Sequence, residues 1–390
     1  MRGLSEIRKE ELLLLKLCRL TFRVELVNEI NELVRLVSDW KYFSALANEH
    51  GVVALVYSNL TKAGNLSLIP SEIETDLKNK YMVSLGRNTF HSSVIAEIAK
   101  LFDGNKIKMV LLKGLALEYS VYGNSGLRQM TDIDILIDRE DKENAQKILT
   151  DNGFDQLPVK SLLHKPIISY LGKHLPTFIR NGAMVDIHIE LFPETKGDLT
   201  KRLFATSRQV NTNNQTLQIP EPQIFFLYLI KHLWNHELTG ESQLRLYTDL
   251  VVMVEKYKDE ILNEKLTDLA ADAGLTEILA GKLRLMNDFW GLTFSGAIND
   301  FIIQNSKTDP SGEFLDFLRG PKDNKLSNDG KSYRRTLQEI PGFHRKLLYV
   351  TGDIFPTLTF MQQRYGCRNK IAALLYYPHR LGKIIWLVLG

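Results

Sequence analysis

Apolar residues recur at helical spacing through the first hundred positions. Leu13, Leu17, Leu20 and Val24 form one such series, and Ile30, Leu33, Val34 and Val37 form the next. A repeat of three to four residues lines one face of a helix. The stretch WKYFSALANEHGVVALVYSNLTKAG (40–64) predicts two short helices meeting at Gly51, and 72–103 predicts one long helix capped by Ser71. The texture then changes. KIKMVLL (106–112) is short, apolar and partly β-branched, as a central strand is. Residues 114–122 predict a helix, 123–126 a loop, 132–138 a strand and 139–149 a second helix.

In PTFIRNGAMVDIHIELFP (176–193), Asn181-Gly182 separates two strand-like runs, a strong hairpin signal. A further strand is expected over 216–219. From Pro220 the chain returns to helical patterning, clearest over 222–237 and 244–258. Residues 305–335, rich in Gly, Pro, Asn, Asp and Ser, are expected to form a polar surface loop. The expected architecture is therefore α+β. A small mixed sheet over 104–219 lies between an N-terminal helical region (1–103) and a C-terminal one (220–390).

Composition narrows the function classes. Hydrophobic residues make up 44% and charged residues 24%, an ordinary globular balance. A formal net charge of +3 offers no field for a long nucleic acid, which is not expected as a partner. Cys18 and Cys367 are too far apart for a metal-ligand motif, and a reduced, cytoplasmic setting is expected. Glu10 and Glu11 before the LLLL run, with Lys16 after it, argue against a signal peptide. No window gives about 18 uncharged apolar residues, so no membrane-spanning helix is expected. The tail IAALLYYPHRLGKIIWLVLG (371–390) is apolar but is broken by Pro378, Arg380 and Lys383. It reads as a docked terminal segment, or as one making peripheral contact with a membrane surface.

The candidate chemistry lies in TDIDILID. Strand alternation puts Asp132 and Asp134 on one face, roughly 7 Å apart, and Ile133, Ile135 and Ile137 on the other. Two carboxylates that close repel each other, and a hard divalent cation such as Mg²⁺ or Mn²⁺ offsets that cost. A plainer reading leaves both at a solvent-facing strand edge, with Asp132 capping a turn. In VDIHIEL, Asp186, His188 and Glu190 share a face. If this strand lies beside the first, Asp186 becomes a third carboxylate at one site, enough for two metals that clamp a phosphoryl displacement. His188 reads as a satisfied strand-face histidine or an accessory group, and Glu190 as a surface residue. Lys113-Gly114 ends a strand and opens a helix, where a phosphate can approach the backbone. Arg128 can reach a triphosphate or pair with an aspartate. His232 and His236 lie one helical turn apart and suit a structural role. An acceptor or phosphate role alongside Arg245 stays open, and Arg245 and Asp249 have the spacing of an i,i+4 pair.

Lys-Gly, a helix, Arg, Asp-Ile-Asp and a later Val-Asp-Ile-His strand, in that order, resemble the DNA polymerase beta-like nucleotidyltransferase superfamily. They resemble most its bacterial family of uncharacterised nucleotidyltransferases, over about residues 33–258. The resemblance implies that Asp132, Asp134 and Asp186 hold the metal and that Lys113, Gly114 and Arg128 position the nucleotide. It implies transfer of a nucleoside monophosphate from an NTP to an acceptor hydroxyl, and the acceptor stays open between a small molecule, a peptide, a protein side chain and an RNA end. A kinase-like phosphotransferase would use the same carboxylates. A non-catalytic binding module would fit Leu115 standing where the superfamily has a second Gly or a Ser.

Overall fold

Asn181 and Gly182 take φ of 49° and 91°. A two-residue hairpin turn demands that left-handed backbone, and Asn and Gly adopt it most readily. They join β4 (Phe178–Arg180) to β5 (Ala183–His188), with Arg180 opposite Ala183. In the computed structural model, residues 7–157, 160–164, 167, 174–191, 198–212, 215–320 and 325–389 are described. Strand β2 (Asp132–Ile137) runs parallel to β5, and β1 (Met109–Leu111) runs antiparallel to β2. With β3 (Asp155–Gln156) beyond β4, the order is β1-β2-β5-β4-β3, a mixed sheet as expected.

Ile133, Ile135, Val185 and Ile187 are fully buried, and the Ser71–Gly104 helix packs against β2 and β5. One apolar core runs from Leu13 to Leu318, so the flanking helices and the sheet share it. Hydrogen bonds join the two helical ends of the chain directly. The Trp290 indole donates to the Cys18 carbonyl, and the Arg19 guanidinium donates to the Trp290 carbonyl.

Several elements differ from their sequence signals. Ser71 is the first residue of its helix rather than the cap, because Pro70 fixes the turn in front of it. The strand expected over 106–112 starts at Met109, since Lys106 adopts a left-handed φ of 59°. The expected 114–122 helix is an α-helical turn, Lys113–Leu117, that widens into a π-helical turn, Glu118–Tyr122. Strand β6 (Arg208–Asn211) has no apolar alternation to announce it and pairs with β7 (Thr216–Ile219) through the backbone. The polar loop expected over 305–335 is the largest correction. Ser311–Arg319 and Lys325–Glu339 are helices. Phe314, Leu315 and Leu318 are buried, with the Phe314 ring against Tyr247 and Phe289, while Gly312, Glu313 and Asp316 face outward.

His50 links three parts of the chain. Its Nδ1 accepts from the Leu244 N–H at 3.3 Å, and its Nε2 donates to the Leu318 carbonyl at 3.1 Å. Both bonds require a neutral ring, and burial holds its pKa below the ordinary value. Burial lowers His91 and His164 in the same way. A depressed histidine pKa means that the unfolded chain binds more protons than the folded one below about pH 6.5, so stability falls with pH there. The thermal midpoint is therefore expected to drop between about pH 7.5 and 5.5. A midpoint that is flat or rises on acidification over that range contradicts the assignment.

Candidate active site

The parallel register of β2 and β5 sets Asp134 directly opposite Asp186, and the two-residue strand period puts Asp132 on the same face. One carboxylate oxygen from each of Asp132, Asp134 and Asp186 lies within 4.8 Å of the other two. The hairpin turn sets β5 against β4, and the parallel pairing of β5 with β2 brings the third carboxylate to the site.

Asp134 is the innermost of the three, only 3% exposed. Lys113 Nζ donates to its Oδ1 at 2.7 Å and His188 Nε2 donates to the same oxygen at 2.8 Å, so Oδ2 carries neither bond. Burial works to raise the Asp134 pKa, but the Lys113 ammonium and His188 outweigh it and hold the carboxyl far below the usual range. Burial works the other way on Lys113, and the Asp134 charge overrides it and keeps the ammonium protonated. The pair is charged. Burial lowers the His188 pKa against the pull of Asp134, which leaves a neutral ring donating one N–H. Asp132 differs. Burial, and then the Asp134 charge, push its carboxyl above the usual range. Asp186 accepts from the Thr177 hydroxyl at 2.6 Å. Oxygen donors at this spacing fit a hard divalent cation of the Mg²⁺ or Mn²⁺ kind.

Local backbone explains how Lys113 reaches the site. The Leu112 N–H donates to the Asp134 carbonyl at 2.9 Å, which extends the β1–β2 ladder by one residue. Lys113 thus leaves the sheet level with Asp134. Its φ is 44°, a conformation costing a non-glycine residue about 1–3 kcal/mol and commonest at functional sites. Gly114 follows because no side chain fits. A Cβ there would stand 2.4 Å from Met130 Sδ and 2.8 Å from Arg128 Nη1. The absent side chain lets the 127–131 loop close over the turn.

Arg128, expected to face the nucleotide, is buried. Its Nε and Nη2 each donate to the Asp249 carboxylate at 2.8 Å, a bidentate pair, while Nη1 lies beside Gly114. The Tyr122 hydroxyl also donates to Asp249, and the Asn88 amide donates to the Arg128 carbonyl. The expected Arg245–Asp249 pair does not form, because Arg128 already occupies the carboxylate. Arg245 instead donates to the Gln129 carbonyl and to Gln243 Oε1. Burial, and then the neighbouring Arg128, lower the Arg245 pKa to about 10. Arg245 thereby braces the loop that precedes β2.

His232 and His236 lie on the Pro222–Thr239 helix with their rings 4.5 Å apart, and His232 stacks on Tyr228. Burial, then the Lys113 charge, lowers both pKa values, that of His236 to about 4. They form a neutral wall beside Lys113 and stand outside the carboxylate cluster. Glu190 pairs with Arg139 at the surface. A cavity of about 1000 Å³ near Trp234, Glu237 and Phe317 is lined by none of the three carboxylates.

Thr177, Tyr228 and Asp249 belong to this neighbourhood without a local signal in the sequence. Asp249 meets Arg128 across 121 residues, and Thr177 meets Asp186 across the hairpin. If the Arg128–Asp249 pair braces the loop, Asp249→Ala leaves a buried guanidinium unpaired and costs roughly 3–5 kcal/mol. Chemical denaturation reads that loss, and a change below about 1 kcal/mol would show that the pair is dispensable.

Residues 37–291 match the family described as uncharacterised nucleotidyltransferase. No curated protein matches the chain. Among solved structures, the chain is similar to ANT(2")-Ia in complex with adenylyl-2"-tobramycin, at 10% identity and a TM-score of 0.34. The match covers 47% of this chain and 95% of that one. It is similar to an antigenic nucleotidyltransferase-like protein from Paracoccidioides brasiliensis, at 16% identity and a TM-score of 0.34, over 53% and 94% of the two chains. It is also similar to a tRNA-processing enzyme in an apo form, at 13% identity and a TM-score of 0.23, over 77% and 90%. With the family match spanning well over half its length, this chain belongs to the uncharacterised nucleotidyltransferase family.

Proposed function

We propose that the chain transfers a nucleoside monophosphate from an NTP to the hydroxyl of a small-molecule, peptide or protein acceptor, with Mg²⁺ or Mn²⁺ held by Asp132, Asp134 and Asp186. The observation that carries this reading is the Asp134–Asp186 register, which gathers three carboxylate oxygens within 4.8 Å. A divalent cation held there would neutralise phosphate charge and orient the reacting oxygens.

The chain's own groups fill the remaining roles. Lys113 stands at the turn before a helix, where its ammonium attracts the polyphosphate while Asp134 keeps it charged. Gly114 admits Met130 and Arg128 against the turn, which seats the loop beside the nucleotide. Arg128, paired with Asp249, and Arg245 hold the 127–131 loop in place. Asp186 accepts from Thr177 with one oxygen and offers the other to the cation, and the proton of the attacking hydroxyl leaves to solvent. The acceptor oxygen bonds to the α-phosphorus, the α–β bridging bond breaks and pyrophosphate leaves. His188 fixes the Asp134 carboxylate and does not touch the nucleotide.

Binding is testable without knowing the acceptor. With Mg²⁺ present, one or more NTPs at about 100 times the dissociation constant should add roughly 2.7 kcal/mol of stability to the wild-type chain. Asp132→Asn and Asp186→Asn should fold normally and lose the shift. Asp134→Asn should also melt lower on its own, because it strands the Lys113 ammonium. No shift with any NTP, or an unchanged shift in Asp186→Asn, contradicts the site. Once an acceptor is found, NTP labelled at the α- or the γ-phosphate decides the reaction. Label retained from the α-phosphate supports nucleotidyl transfer, and label from the γ-phosphate alone makes the protein a kinase-like phosphotransferase.

A further inference from the structure

The protein's positive charge is not spread evenly. Residues 340–390 contain seven Lys and Arg and a single acid, Asp353. Asp353 is fully buried, against Lys160 and Arg380, so it puts no negative charge on the surface. The whole chain is only +3, which leaves the preceding residues net negative. Arg364, Arg368 and Lys370 are exposed.

The same stretch is the most apolar surface of the molecule. Half of the large apolar side chains that are exposed among the described residues fall between 343 and 386. Phe343, Ile371 and Leu375 are each at least 75% exposed. The Tyr377–Leu389 helix shows why this is not a poorly packed end. Arg380, Ile384 and Leu387 form its buried stripe, while Leu381, Ile385 and Trp386 form an apolar stripe left in the open. The helix is held in place. It packs on the Phe343–Ile354 helix, the Tyr377 hydroxyl donates to the Pro356 carbonyl at 2.6 Å, and Tyr365 stacks on Tyr376 just before it. An ordered helix with apolar groups on both sides buries one side in the protein and needs another apolar medium for the other.

We propose that the helices of residues 343–389 dock the protein onto an anionic lipid surface. Exposed Trp, Phe, Ile and Leu among Lys and Arg are the chemistry of an interfacial helix, in which apolar groups enter the acyl boundary and cations meet the headgroups. No helix among the described residues is long and apolar enough to cross a bilayer, so the contact is peripheral. A second copy of the chain is the poorer occupant, because a two-fold contact would set this cationic surface against itself. The proposal is independent of the reaction proposed above and asks only where the protein works.

Vesicle sedimentation of the full chain tests it. Vesicles of phosphatidylcholine with phosphatidylglycerol should pellet at least roughly tenfold more protein than phosphatidylcholine alone, and added salt should release it. Ile385→Ser with Trp386→Ser should weaken binding several-fold. Arg364→Glu with Arg368→Glu and Lys370→Glu should abolish it, and both variants should keep the wild-type melting curve. All of these substitutions fall on exposed positions. No pelleting with anionic vesicles, equal pelleting with neutral ones, or unchanged binding by the charge-reversed variant overturns the proposal. So does a dimer in sedimentation velocity that the same substitutions dissolve, in a protein that ignores both vesicles.

Discussion

A buried carboxylate held by two donors organises the rest of this structure. Asp134 lies inside the sheet and accepts from Lys113 and His188 through one oxygen. At 2.7 Å and an effective dielectric of about 20, the Lys113–Asp134 attraction amounts to about 6 kcal/mol. Taking the two ions out of water costs several kcal/mol each, so the pair contributes little net stability. Its effect is placement. It pulls Lys113 to the mouth of the sheet against an unfavourable backbone conformation, and it fixes one oxygen of Asp134 while leaving the other uncommitted. Gly114, the loop over it and the Arg128–Asp249 pair then follow as steric and electrostatic consequences.

The electrostatics also divide the three carboxylates by role. Asp134 is already charged and neutralised by protein groups. Asp132 is not, and both burial and its neighbour oppose its charge. Asp186 is steadied by Thr177 from the adjoining strand end. The site thus holds one carboxylate charged, one under electrostatic pressure and one on a short hydroxyl bond.

Much of this was legible in the sequence because the signals were local. Asn181-Gly182 announced the hairpin, the alternation in TDIDILID and VDIHIEL put the aspartates on one face, and the change from helical to strand patterning near 105 located the sheet. What was not legible depended on contacts across the chain. Arg128 and Asp249 are 121 residues apart, so a local i,i+4 rule assigned Asp249 to Arg245 instead. Thr177 carries no motif. Strand β6 is held by backbone pairing alone. The Ser311–Arg319 helix was hidden by composition, since Phe314, Leu315 and Leu318 are its buried residues and Gly312, Glu313 and Asp316 are exposed. The cationic apolar end of the chain was visible as residues, but only the structure shows which of its side chains remain uncovered.

The central claim is that Asp132, Asp134 and Asp186 form one divalent-cation site that an NTP completes. Electron paramagnetic resonance of Mn²⁺ tests this most directly, because free and bound ion give different signals. Mn²⁺ should bind the wild-type protein more tightly once an NTP is present, beyond what the NTP alone takes up, and Asp186→Asn should lose that increment while remaining folded. Equal Mn²⁺ uptake by wild type and Asp186→Asn would show that the three carboxylates do not act as one site.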